Sequence, residues 1–306
     1  MKTVNLLLIL AIVLLTEIII ILFYCILTMN FSPKPIAKAN FSIYFLDHEP
    51  DHNQRWAKLQ KLMLNKYKIK INLTRINNFN QALTGIESGG YDILVANAAV
   101  YKKLREMKLV KALADEIVSS KNMKLNRSTI IAANTIKNID DLQGKRCVCP
   151  APWSLNGFLA AVYNIEKHFN QPFEEIAANI KFTLSNSKAV AALKNGSADF
   201  AILPNSFINT NYSKIFNSSS LFKNIHNSYP IPGKVMMISC KSIHYNSDIL
   251  NFSLRKIFEA HTRQPLKMAN FKAVNYDFDE YLEKNIVNAK ITKLLDKWNK
   301  LYESQK

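Results

Sequence analysis

The chain has 306 residues, 48% hydrophobic and 21% charged, which supplies material for a folded core and excludes a disordered or fibrous protein. Its net charge is +17, but the lysines are scattered and no nucleic-acid-binding signature accompanies them, so no nucleic-acid partner is expected. Four cysteines and seven glycines leave no paired zinc-ligand set and few phosphate-cradling loops.

Residues 4–29 are mostly apolar and carry one charge, Glu17, a run long enough to cross a bilayer, which takes about 20 residues. This length favours an uncleaved transmembrane anchor over a cleaved signal, although Ala37-Lys38-Ala39 has the form signal peptidase prefers. Bulky Phe23 and Tyr24 before Cys25 argue against lipidation there. Residues 30–40, with two prolines, read as a linker. A folded domain is expected from 41 to 306.

From there strands and helices alternate. FSIYFL (41–46) reads as a strand, WAKLQKLMLNKY (56–67) as a helix, IKINLTRI (69–76) as a strand, then a helix over 80–88 halted by Gly89-Gly90, then strand YDILVA (91–96). The order indicates an α/β fold with a mainly parallel sheet. Residues 82–95 and 192–203 echo each other: a helix end, a glycine stop, then an apolar strand that opens on Asp92 or Asp199. Those two acids are expected to hold nearby backbone. In the centre come a strand at 129–135, a short helix IDDLQG, and strand KRCVCP. A proline-containing turn follows and opens a long helix capped by Ser154, with Asn156 and Gly157 in its first turn. A helix N-terminus presents unpaired N–H groups and a positive dipole end, which together attract anions. Cys147 and Cys149 share one strand face. A bridge from Cys240 to one of them and free buried thiols both remain open.

In their order, GYDILVANAAVYKKL, IDDLQGKRCVCPAPWSLNGFL, SNSKAVAALKNGSADFAIL and NSYPIPGKVMMISC resemble the phosphonate-type solute-binding proteins of ABC importers. The resemblance implies a type II periplasmic-binding fold, with lobe 1 at 41–129 and 237–306 and lobe 2 at 130–236. It also implies a small anionic solute captured by lobe closure, an ABC permease as partner, an extracytoplasmic location and no cofactor. The family's Ser-Thr-Ser-Gly run corresponds to Ser154-Leu155-Asn156-Gly157, and its Gly-Pro-x-x-Tyr to Asn97-Ala98-Ala99-Val100-Tyr101. A family histidine corresponds to Lys188. Family acids near Asn205 to Phe207 and at Lys234 are replaced, and an Asp-Tyr pair is Asn78-Phe79. The losses predict an anionic ligand without a free ammonium group. The expected ligand-binding residues are therefore Tyr101, Ser154, Asn156, Gly157, Lys188, Asn97 and Lys234. Trp153 beside the anion turn, Tyr44 at the end of the first strand, and His48 and Glu49 in the loop after it join them by position.

No nucleophile elbow, zinc-protease or dinucleotide glycine pattern occurs, so no catalysis is expected. The alternative function is a membrane-anchored sensor or accessory protein of the same fold. Only three residues precede the apolar run, so no cytoplasmic signalling domain is expected.

Overall fold

Two mixed β-sheets, each built around strands buried on both faces, organise the chain. The computed structural model describes residues 40–46, 57, 60–61, 63–65, 69–116, 126–211, 221–242, 245, 271–273, 280, 282–283 and 287–305. The chain divides into the units Met1–Ala39 and Asn40–Lys306, and every described residue belongs to the second. Among the described residues no helix is long and apolar enough to cross a membrane. The apolar run 4–29, on which the anchor expectation rests, lies outside them, as do His48 and Glu49.

The first sheet is formed by β1 (Asn40–Leu46), β2 (Lys70–Ile76), β3 (Ile93–Asn97), β4 (Val110–Glu116), and two later strands, with helices α1 (Phe79–Glu87) and α2 (Ala98–Glu106) between them. β1 pairs in parallel with both β2 and β3. β3 is buried from Ile93 to Ala96, as its unbroken apolar run requires of a central strand. The chain then crosses to a second sheet made of β5 (Ser128–Ala133), β6 (Arg146–Cys149), β7 (Asn179–Phe182), β8 (Phe200–Pro204) and β9 (Phe222–Asn227). Its order is β7-β6-β8-β5-β9, with β6 parallel to β7 and β8, and β5 antiparallel to β8 and β9. The fully buried β8, FAILP, lies at its centre. Helices α3 (Ala160–Phe169), α4 (Phe173–Ile176), α5 (Asn186–Lys194) and α6 (Asn205–Asn211) connect these strands. β10 (Lys234–Ser239) returns to the first sheet, antiparallel to β3 and β4, and β11 (Phe271–Ala273) adds to the β4 edge. The crossings thus lie between Glu116 and Ser128 and between Asn227 and Lys234.

The two echoed units are real. Gly89 and Gly196 both have φ of 74°, a conformation that stops α1 and α5 at little cost for glycine. Asp92 accepts from Ser42 N at 3.0 Å, and Asp199 accepts from Arg146 N at 2.8 Å. Both acids hold a neighbouring strand start, as expected.

The last helix, α7 (Ala289–Ser304), packs on α2 from the first half and on α3 from the second. Lys103 Nζ reaches Asp296 at 2.6 Å on one side, and Lys297 Nζ reaches Glu174 at 2.6 Å on the other. One buried apolar cluster runs through both halves: Leu94, Ala96 and Met237 from the first sheet, Cys147, Phe200 and Ile202 from the second, joined by Leu295 and Trp298 of α7. Cys147, Cys149 and Cys240 are free thiols. The first two lie in the second sheet and Cys240 closes β10 in the first. Burial pushes the Cys149 thiol well up, and the hydrogen bond with Cys147 adds to the effect.

Candidate functional site

The C-terminal ends of the parallel strands in the second sheet carry the turns that lead into α3, α5 and α6. In open α/β sheets this edge is where ligands bind, because helix N-termini converge there. The loops after β6 and β7 are stitched together: Thr183 N donates to Cys149 O at 3.0 Å, and Thr183 Oγ1 donates to Ser185 O at 2.7 Å.

Ser154 caps the α3 entrance as the sequence predicts. Its φ and ψ are −75° and 113°, and its Oγ accepts from Gly157 N at 3.0 Å. The sequence did not foretell the width of that entrance. Residues Leu155–Leu159 form a π-turn, closed by Ala160 N donating to Leu155 O, before α3 proper begins. Gly157 is required by space rather than by dihedral angle. A Cβ there would lie 2.7 Å from both Pro150 Cγ and Ser154 Oγ. Asn156 Oδ1 sits 3.4 Å from Ser154 Oγ, and the Asn156 backbone carbonyl accepts from Ser128 Oγ at 2.9 Å. β5 thus supports the turn from beneath.

Asn97 faces this turn from the first sheet. Its Oδ1 accepts from Ala99 N and Val100 N, capping α2, while Nδ2 donates to Trp153 O at 2.7 Å. One side chain therefore fixes a helix start in one half and grips the other half. Lys234 is the cross-strand partner of Asn97, so a half-buried lysine stands next to that contact. Trp153 is 1% exposed and meets the Tyr302 ring edge-on at 5.8 Å. Tyr101 is 3% exposed and belongs to the shared core. Asn97, Trp153, Ser154, Asn156, Gly157 and Lys234 thus come together where the halves meet.

Tyr44 and Lys188 do not join that group. The Tyr44 ring stacks on Tyr91 at 3.5 Å, 14° from parallel, and burial, with Tyr44 beside it, raises the Tyr91 phenol. Lys188 lies on the exposed face of α5, where Ser185 Oγ accepts from its backbone N at 3.3 Å. The buried polar residue of that helix is Asn186, 6% exposed, whose Oδ1 has no hydrogen-bond partner. Helical spacing carried the signal. Asn186, Ala189, Val190 and Leu193 form one inward stripe, and Asn186 is its only polar member. Arg127, before β5, is half-buried, and its Nε is buried without a hydrogen-bond partner. Among the described residues no cluster of side chains could hold a metal ion.

Residues 44–244 match the family described as ABC transporter, phosphonate, periplasmic substrate-binding protein. No curated protein matches the sequence. Among solved structures, a binding protein component of an ABC phosphonate transporter from Pseudomonas aeruginosa is similar, with a TM-score of 0.63 and 16% identity over 88% of this chain and 98% of that one. A Xanthomonas citri protein bound to ATP has a TM-score of 0.65 at 11% identity, over 86% of this chain and 99% of its own. PhnD1 from Prochlorococcus marinus, in complex with methylphosphonate, has a TM-score of 0.58 at 11% identity, over 80% and 97%. At these identities the structural likeness establishes the fold, that of type II periplasmic binding proteins.

Proposed function

The chain belongs to the phosphonate-binding family of periplasmic substrate-binding proteins of ABC transporters, and from that premise we propose that it captures a small oxyanion between its two sheets and delivers it to a permease. The observation that carries this reading is the contact between the halves: the Ser154–Gly157 turn, at a helix N-terminus, sits against Asn97 with Lys234 alongside. Helix N–H groups and a lysine favour negative charge there. The two sheets act as lobes that close on the solute, and the bound solute stabilises the closed form by its higher affinity for it. The apolar run 4–29 tethers the domain outside the cytoplasmic membrane, which holds it at high effective concentration near its partner.

Thermal unfolding of the full-length chain against phosphate, methylphosphonate, an aminophosphonate, methanesulfonate and a neutral sugar tests the ligand class. A solute present at 100 times its dissociation constant adds about 2.7 kcal/mol. Stabilisation by the sugar alone would remove the anion from the proposal. Mass spectrometry of the mature N-terminus tests the tether; a start near residue 40 would sink it.

A further inference from the structure

A groove of about 520 Å³ opens where α3 meets the start of α7. Four lysines line it: Lys167 from α3, and Lys290, Lys293 and Lys297 from α7. The last three stand at i, i+3 and i+7, so they share one helix face and span about 10 Å of its axis. Tyr163, Pro172 and Leu294 give the groove an apolar strip. A second groove along α7 is balanced, with Lys103 and Lys300 against Asp296 and Glu303. The excess of positive charge is therefore local to the first groove and is not the net charge of the chain repeated on every surface.

Two charges of this groove are already committed. Lys297 Nζ pairs with Glu174 at 2.6 Å. Glu166, the one described acid of the lining, accepts from Phe173 N at 3.0 Å and lies 3.9 Å from Lys297 Nζ. Lys167, Lys290 and Lys293 are exposed and make no ion pair with a described residue. Like charges at helical spacing repel, so negative charge entering between them is stabilising. Lysine ammoniums are point charges on flexible stems and set no fixed fork for a single oxyanion. Spread over about 10 Å of helix, they suit several negative groups better than one. An extended peptide sets the side chains of one face about 7 Å apart, so two or three carboxylates match that span. The lysines also line a concavity, and a segment that enters it reaches more of them than a flat lipid surface does.

We infer that this groove docks an acidic segment of a partner protein, whose carboxylates pair with Lys167, Lys290 and Lys293 across the strip of Tyr163 and Leu294. In the proposed function that partner is the permease, and in this respect the inference rests on that reading. The groove contains none of the proposed solute-binding residues, so docking and solute capture are separable by mutation.

Fluorescence anisotropy of labelled hexaglutamate and hexaglutamine peptides with the full-length chain at low salt tests this. Wild type should bind hexaglutamate, more weakly as salt rises, and should bind hexaglutamine far less. The triple variant Lys167→Gln/Lys290→Gln/Lys293→Gln should weaken hexaglutamate binding about tenfold, the product of three modest exposed pairs. The control Lys70→Gln/Lys111→Gln/Lys137→Gln removes the same charge from exposed positions elsewhere and should change that affinity less than about threefold. Equal losses in the two triples would reduce the binding to general attraction and overturn the inference, as would no binding by wild type. If the groove triple does not fold, Lys293→Glu replaces it, and unchanged affinity there overturns the inference. Binding to phosphatidylcholine–phosphatidylserine vesicles that the groove triple loses, with hexaglutamate binding intact, would make the groove a lipid contact and overturn the peptide assignment. Calorimetric affinity for methylphosphonate should be equal in wild type and both triples. Failure of peptide binding with that affinity present overturns the inference alone, whereas binding of no oxyanion overturns the proposed function.

Discussion

Trp298→Ala asks whether α7 fastens the two halves to each other. Trp298 is fully buried and meets Phe158 edge-on at 5.2 Å, Phe173 at 6.0 Å and Phe182 at 6.3 Å, all residues of the second half. On the same helix Asn299 Nδ2 donates to Asn80 Oδ1 at 2.8 Å, and Asp296 pairs with Lys103, both in the first half. The exposed ion pairs contribute little, about 0–1 kcal/mol each. The indole is therefore the main attachment, and truncating a buried tryptophan costs about 3–5 kcal/mol. For a domain of this size that lowers the melting temperature by about 6 °C or more. Trp298→Phe should lose far less, because the indole Nε1 has no hydrogen-bond partner to forfeit. Urea unfolding of the full-length wild type and both variants, read by circular dichroism with the slope m checked for constancy, measures the difference. A loss below about 1 kcal/mol for Trp298→Ala, outside the range for a buried tryptophan, would refute the view that α7 is anchored in the second half.

Four further outcomes follow from the site. Gly157→Ala places a Cβ 2.7 Å from Pro150 Cγ and should cost about 1–3 kcal/mol in the same urea assay; an unchanged midpoint would show that the turn yields freely. The double variant Ser154→Ala/Asn156→Ala should keep its circular dichroism spectrum, lose about 1 kcal/mol with the cap, and bind oxyanions markedly more weakly by calorimetry; unchanged affinity removes the turn from the site. Asn97→Asp keeps the α2 cap but sets a carboxylate against Trp153 O, so it should cost about 1–3 kcal/mol and reduce anion affinity in the same titration; affinity equal to wild type would mean that this contact does not form in the bound state. Burial, then nearby His168, depresses the His226 pKa, so its contribution is complete above the usual histidine value near 6.5 and is lost as pH falls through the depressed value. His226→Gln should therefore lose less melting temperature than wild type between pH 7 and 5, and identical profiles would refute that linkage.

The strands and glycine stops were legible because they obey local rules. A strand buried on both faces must be apolar throughout, as β3 and β8 are, and a helix that turns straight into such a strand needs a residue tolerant of positive φ, as at Gly89 and Gly196. Ser154 was legible for the same reason, since a cap is decided within three residues. The inward stripe of α5 puts Asn186 in the buried place, while Lys188 is exposed in the first turn of the same helix, a distinction that charge alone does not make. The π-turn depends on how Gly157 fits under Pro150, a contact that helical periodicity does not encode. Trp298 was not legible, because it owes its role to rings more than a hundred residues earlier in the chain.

The contacts between the halves bear on how closure and binding would divide their work in the proposed function. Asn97 to Trp153 and the α7 attachments join the halves through protein groups alone. If the lobes close as proposed, such contacts would raise the population of the closed arrangement, and apparent affinity scales with the fraction that is competent to bind. The solute then has less ordering to drive, and its charge can be spent on recognition. A site that relied on the solute to pull the lobes together would need strong contacts from both halves. In the proposed site the second half offers the Ser154–Gly157 turn, while the first half offers Lys234 and the contact made by Asn97. On the proposed reading recognition would rest mainly on that turn and closure on the contacts between halves. Weakening α7 should therefore raise the dissociation constant for every oxyanion by a common factor and leave their ranking unchanged.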